Sequence, residues 1–227
     1  MTSIKAAARK TGLLYLLFSI VSIVSEFFFP AFVVPGDAAA TARNITAAEL
    51  TYRIGILTGF VDLVLFLFLV VSLYGLLKDA DRRQAILMVL LVSIGVAISL
   101  ANLLNRFAPL VLLSGADDMS AFTRPQLDAL ALSFLKLHGS GTTVATVFWG
   151  LWLFPFGILV VKSGFLPGIL GILLMVAGVG YVTSSVTSLV LPADSHAVSR
   201  VMMPLYLGEL PIMFWLLIRG AREPRVS

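Results

Sequence analysis

The chain has 227 residues, of which 59% are hydrophobic and only 12% charged, and its mean hydropathy is +1.02. Soluble domains carry roughly 25% charged residues, so this composition excludes a water-soluble globular domain and points to a lipid bilayer. The net charge of +4 and pI of about 9.6 do not indicate nucleic acid, because Lys and Arg cluster in short segments between apolar runs. The absence of cysteine excludes disulfides, thiolate metal sites and thiol nucleophiles.

Apolar stretches near the 20 residues needed to cross the hydrocarbon core fall at 12–32, 50–77, 84–113, 139–161, 167–191 and 199–218. The expected architecture is therefore all-α: a polytopic membrane protein with six transmembrane helices, forming a single domain over residues 1–227. Lys5, Arg9 and Lys10 precede the first stretch like the start of a signal peptide. Glu26 and the run Phe27, Phe28 and Phe29 stand where a small-residue cleavage site belongs, so the first span is read as uncleaved.

With six alternating spans, Lys5, Arg9, Lys10, Lys78, Arg82, Arg83, Lys162, Arg219, Arg222 and Arg225 all fall on one side. The positive-inside rule makes that side cytoplasmic. Both termini are then expected inside, with the longer connections at 33–49, 114–124 and 192–198 facing outward. In the first of these, Pro35, Gly36 and Asp37 spell a turn, and Asp37 is placed to cap a short helix over 38–45.

A helix from Pro125 to Val161 would be roughly 55 Å long against a core of about 30 Å. Leu127, Leu130, Phe134 and Leu137 recur on one side, which predicts an additional outer amphipathic helix before the fourth span, begun by Thr123 and Pro125. Gly139 and Gly141 would supply the bend. One long tilted helix is the alternative.

Polar residues inside the spans mark the candidate site, because an ionised group in hydrocarbon costs several kcal/mol unless paired or wetted. Ser19, Ser22 and Glu26 share one helical face, as do Gly55, Gly59 and Asp62 on the second span. The third offers Ser99, Asn102 and Arg106 with Asn105 beside them, the fourth His138, and the sixth Tyr206 and Glu209. Together Glu26, Asp62, Asn102, Asn105, Arg106, His138, Tyr206 and Glu209 are expected to line an outward-facing polar cavity for a small polar or amphipathic ligand. Asp62 and Glu209, the deepest acids, form its floor. Pro109 and Pro211 stand near this depth, where each removes a backbone N–H.

The competing reading is a structural or accessory membrane subunit whose charges form internal ion pairs. Gly139, Ser140 and Gly141 with His196 match the rhomboid Gly-x-Ser-Gly and histidine pattern only in part, since His138 holds the first glycine place. No phosphate loop or metal-ligand spacing appears, so no cofactor or catalytic residue is expected. Lipid and the small ligand are the partners expected, and oligomeric state is not legible.

Several longer strings resemble one bacterial family known only as domain of unknown function 4386. They are GLLYL at 12–16 with Glu26, VPGDAAATARNI at 34–45, NLLNRFAPLVLLSGAD at 102–117, KSGFLPGILGILLMVAGVGYV at 162–182 and GELPIMFWLLIRG at 208–220. The resemblance implies a six-span bacterial inner-membrane protein with a structured outer loop at 34–45, and it implies no activity.

Overall fold

A computed structural model describes residues 4–28, 31–116 and 119–221, excluding the side chains of residues 26–28. The elements are α1 (Ile4–Phe28), α2 (Ala38–Ala47), α3 (Glu49–Leu77), α4 (Arg82–Asn102), α5 (Leu104–Leu112), α6 (Arg124–Leu151), α7 (Leu153–Lys162), α8 (Gly168–Val190), α9 (Ser195–Tyr206), a 3-10 turn (Leu207–Glu209) and α10 (Leu210–Ile218). Among the described residues there is no strand. Six stretches of the described residues are long and apolar enough to cross a membrane: Ile4–Ser25, Glu49–Leu77, Arg82–Leu112, Arg124–Lys162, Gly168–Val190 and Ser195–Ile218. Large apolar side chains left open to the surroundings, such as Phe68 at 61% and Val201 at 70%, suit lipid-facing helix surfaces.

Three of these spans are stepped. Pro155 has no N–H to give Leu151, four residues back, and its ring crowds that carbonyl; α6 accordingly ends at Leu151 and α7 starts at Leu153. Pro211 does the same to Leu207, and there the chain tightens into the 3-10 turn, where the Leu210 N–H serves the Leu207 carbonyl instead. Between α4 and α5 the Leu103 N–H is shared by the carbonyls of Ser99 and Leu100, at 3.0 and 3.2 Å.

The fourth span departs from the amphipathic-helix expectation. The segment at 125–138 is the first half of α6, which passes through Gly139 and Gly141 without a break. Two glycines cost a helix roughly 1 kcal/mol each, which does not outweigh the contacts along it. At the start of α6 the Gln126 side chain accepts from the Thr123 N–H at 2.8 Å, half of a capping box.

The chain forms two compact units, one built from residues up to 18, 65–97 and 143 onward, the other from 19–64 and 98–142. In the first, α8 lies against α7 and the end of α6 through paired glycines. A Cβ on Gly157 would come 2.5 Å from the Gly171 carbonyl oxygen, and one on Gly178 would come 2.9 Å from that of Gly150. Small residues at such crossings let backbones approach where water gives no hydrophobic drive. Trp152 stacks on Phe156 at 5.2 Å and meets Phe66 edge-on at 5.3 Å.

In the second unit α2 is held to its loop. The Asp37 side chain accepts from the Ala40 N–H at 2.8 Å, so the expected cap and short helix are present. Ala42 and Ile45 of α2 are buried with Phe32, Tyr52, Ile56, Leu113, Leu127 and Ala131. The Tyr52 hydroxyl donates to the Arg106 carbonyl at 2.9 Å, tying α3 to α5.

Two outcomes follow from this packing. Gly171→Ala forces overlap with the Gly157 carbonyl and should cost about 1–3 kcal/mol, whereas Gly75→Ala, with open space around it, should leave the thermal midpoint unchanged or slightly raised. Unfolding of both variants in detergent checks this. In the connection between α3 and α4, Asp81 Oδ2 accepts from Lys162 Nζ at 2.7 Å, and Oδ1 accepts from the Gln84 and Arg83 N–H groups. The Lys162 hydrogen bond first, and the Gln84 N–H second, hold the Asp81 carboxyl below its ordinary 3.8. This contribution to stability is fully present above that value and is lost as pH falls through the lower folded one. The stability gap between the wild type and Asp81→Asn should therefore be constant above about pH 5 and close in stronger acid.

Candidate binding site

In the second unit the third span carries its polar residues at the step between α4 and α5. Asn102 is buried, and its amide donates to His138 Nδ1 at 2.7 Å and to the His138 carbonyl at 2.8 Å. Asn105 donates to Asn102 Oδ1 at 2.9 Å. This chain of donors fixes Nδ1 as the acceptor nitrogen and leaves the proton on Nε2. That nitrogen is buried and has no hydrogen-bond partner among the described residues. Gly141 makes the contact possible, since a Cβ there would collide with the Asn102 amide. The glycine expected to bend the span instead admits a side chain from its neighbour.

Asp62 accepts a short hydrogen bond from the Ser22 hydroxyl. Arg106 reaches the neighbourhood of Gly59, where an added Cβ would lie 3.6 Å from its Nη1 and 3.4 Å from Ser25 Oγ. The glycine face expected on the second span thus gives room to polar groups of the first and third. Glu26 belongs to α1 by its backbone, but its side chain lies outside the described residues.

Thirteen residues before Asp62, α3 begins beside a cleft of about 240 Å³. Its apolar wall is Ile45, Leu110 and Leu113; its polar groups are Thr46, Glu49, Arg53 and Ser114. Glu49 and Arg53 form an ion pair at 2.7 Å, each side chain about half exposed, so the pair is screened and weakly held. None of the four polar residues was expected as a ligand contact. The available signal was the Glu49–Arg53 spacing of four at a helix start, beside the structured 34–45 loop.

Tyr206 and Glu209 belong to the other unit. Glu209 ends the 3-10 turn and accepts from the Tyr15 hydroxyl at 2.8 Å, with Tyr181 beside it. Tyr181 stacks on Tyr206 with centroids 4.2 Å apart, and Tyr206 donates to Ser184 at 2.6 Å. Among the described residues no cation lies within ion-pair distance of Glu209. Gly208 seats this turn on α8, since a Cβ would come 2.5 Å from the Leu173 carbonyl oxygen.

Over residues 10–220 the chain matches the family described as Domain of unknown function (DUF4386). It belongs to that family. An uncharacterised protein of Archaeoglobus fulgidus is 36% identical over 80 residues, which is 35% of this chain and 46% of that protein. This DUF4386 chain therefore aligns with less than half of that relative's length. No solved structure matches it.

The network around Asn102 can be weighed by a double-mutant cycle. Asn102→Ala strands the acceptors of His138 and should cost about 1–3 kcal/mol. Asn102→Ala and His138→Ala together should cost less than their sum, with a coupling of about 1–2 kcal/mol in chemical unfolding.

Proposed function

We propose that this multi-pass membrane protein binds a small zwitterion or a zwitterionic lipid headgroup on the outer side of a bacterial inner membrane, with both termini cytoplasmic. The orientation rests on Lys5, Arg9, Lys10, Lys78, Arg82, Arg83, Lys162 and Arg219 falling on one side of six alternating spans. The observation that carries the binding reading is the cleft of about 240 Å³ that sets the Glu49–Arg53 pair above Ile45, Leu110 and Leu113. A half-exposed pair exchanges partners at small cost: the carboxylate takes an ammonium, and the guanidinium takes a carboxylate or phosphate in bidentate fashion. Thr46 and Ser114 supply hydroxyls, and the apolar wall suits the first carbons of an acyl chain.

Asp62 lies farther along α3, and Asn105 and Arg106 lie farther along α5, both helices of the cleft, while Asn102 belongs to α4 and His138 to α6; none of the five lines it. Nine residues separate Arg53 from Asp62 on α3, about 14 Å at the helical rise. The Asp62–Ser22 and Asn102–His138 bonds favour a second reading, an accessory subunit whose polar interior serves only its own register.

Thermal-shift titration of the purified chain with phosphoethanolamine, glycine and inorganic phosphate separates the two. Binding predicts a saturable rise with the zwitterions that is lost in Glu49→Gln and Arg53→Gln and kept in Asp62→Asn. No response in the wild type, or equal responses in all variants, contradicts binding at this cleft.

A further inference from the structure

We propose that Glu209 is a proton-binding site within the membrane, with Tyr15 and Tyr181 as the groups that hold its charged form. It is distinct from the cleft, because every residue named here belongs to the first unit.

The geometry has three parts. First, Glu209 ends a 3-10 turn forced by Pro211, so the carboxylate leaves a discontinuous helix inside a span. Second, the Tyr15 hydroxyl of α1 donates to it at 2.8 Å, and Tyr181 of α8, stacked on Tyr206, stands beside it. Third, the titratable and charged groups facing it do not include a cation. Tyr15 comes from α1, Tyr181 from α8 and Tyr206 from α9, while α10 presents none. Arg9 stands six residues from Tyr15, and Arg200 and Arg219 stand nine and ten residues from Glu209 along their own segments.

A carboxylate in hydrocarbon without a cation is costly, and that cost favours the neutral acid. Phenol O–H donors favour the anion. Opposition between the two brings both charge states within reach, whereas a facing Arg would fix the anion and an apolar pocket would fix the acid. Uptake places one proton from water on a carboxylate oxygen. The other oxygen keeps a phenol donor, and no bond other than O–H forms or breaks. Tyr206, already donating to Ser184, holds the Tyr181 ring by stacking.

The test is pH-difference infrared spectroscopy of the full chain in proteoliposomes from about pH 4 to about pH 10, on the wild type, Glu209→Gln, Tyr15→Phe and Tyr181→Phe. The expected result is a protonated-carboxyl C=O band in the acid spectrum, lost in Glu209→Gln. In each Tyr→Phe variant it should move to higher frequency, because a phenol hydroxyl beside the carboxyl has gone. Thermal unfolding identifies any variant that fails to fold; if Glu209→Gln does, the band shift in the Tyr→Phe variants decides. Three results overturn the proposal: no carboxyl band at any pH, a band indifferent to all three substitutions, or a band abolished by sodium at constant pH, which would make the ligand a monovalent cation.

Discussion

Hydrocarbon offers no hydrogen bond to a backbone or side-chain polar group, so each one inside a span must be answered by the protein. That constraint accounts for where this chain departs from plain helices. Pro211 leaves the Leu207 carbonyl without its usual donor, the Leu210 N–H takes over through a 3-10 turn, and the turn aims Glu209 at two tyrosines. At the step around Leu103 the chain presents Asn102 and Asn105, and their amides are answered by each other and by His138. Gly141 admits the Asn102 side chain, and Gly208 lets the turn approach α8 closely.

Much of the fold was legible because it follows from length and periodicity. The six spans could be counted from apolar run lengths, Asp37 could be read as a cap, and the proline at 211 was recognisable beside Glu209. What was not legible depends on partners distant in sequence. Gly139 and Gly141 look like a bend in isolation, yet α6 continues because Gly141 is where Asn102 enters. Pro155 steps the fourth span through a carbonyl four residues back, in a run that reads as uniformly apolar.

The candidate residues show the same division. Sequence spacing groups side chains on one helix face but does not say which neighbouring helix answers them. The competing reading expected internal ion pairs, yet Glu209 accepts from a phenol hydroxyl, and Asp62 accepts from Ser22. The Glu49–Arg53 pair, four residues apart at the start of α3, resembles any helix-surface ion pair until α2 and α5 are set around it. On the proposed reading, the bonded polar groups of the second unit act as scaffold and the weakly held Glu49–Arg53 pair meets the ligand.

Because the chain has no cysteine, single cysteines report accessibility without background, and this measures the division directly. In membranes, Thr46→Cys and Ser114→Cys at the cleft should react rapidly with a membrane-impermeant maleimide, while Ser99→Cys and Ser184→Cys, buried among the spans, should stay unlabelled until the protein is denatured. Equal labelling of all four would mean a water-filled interior, and would contradict the claim that the membrane-depth polar groups are answered by the protein itself.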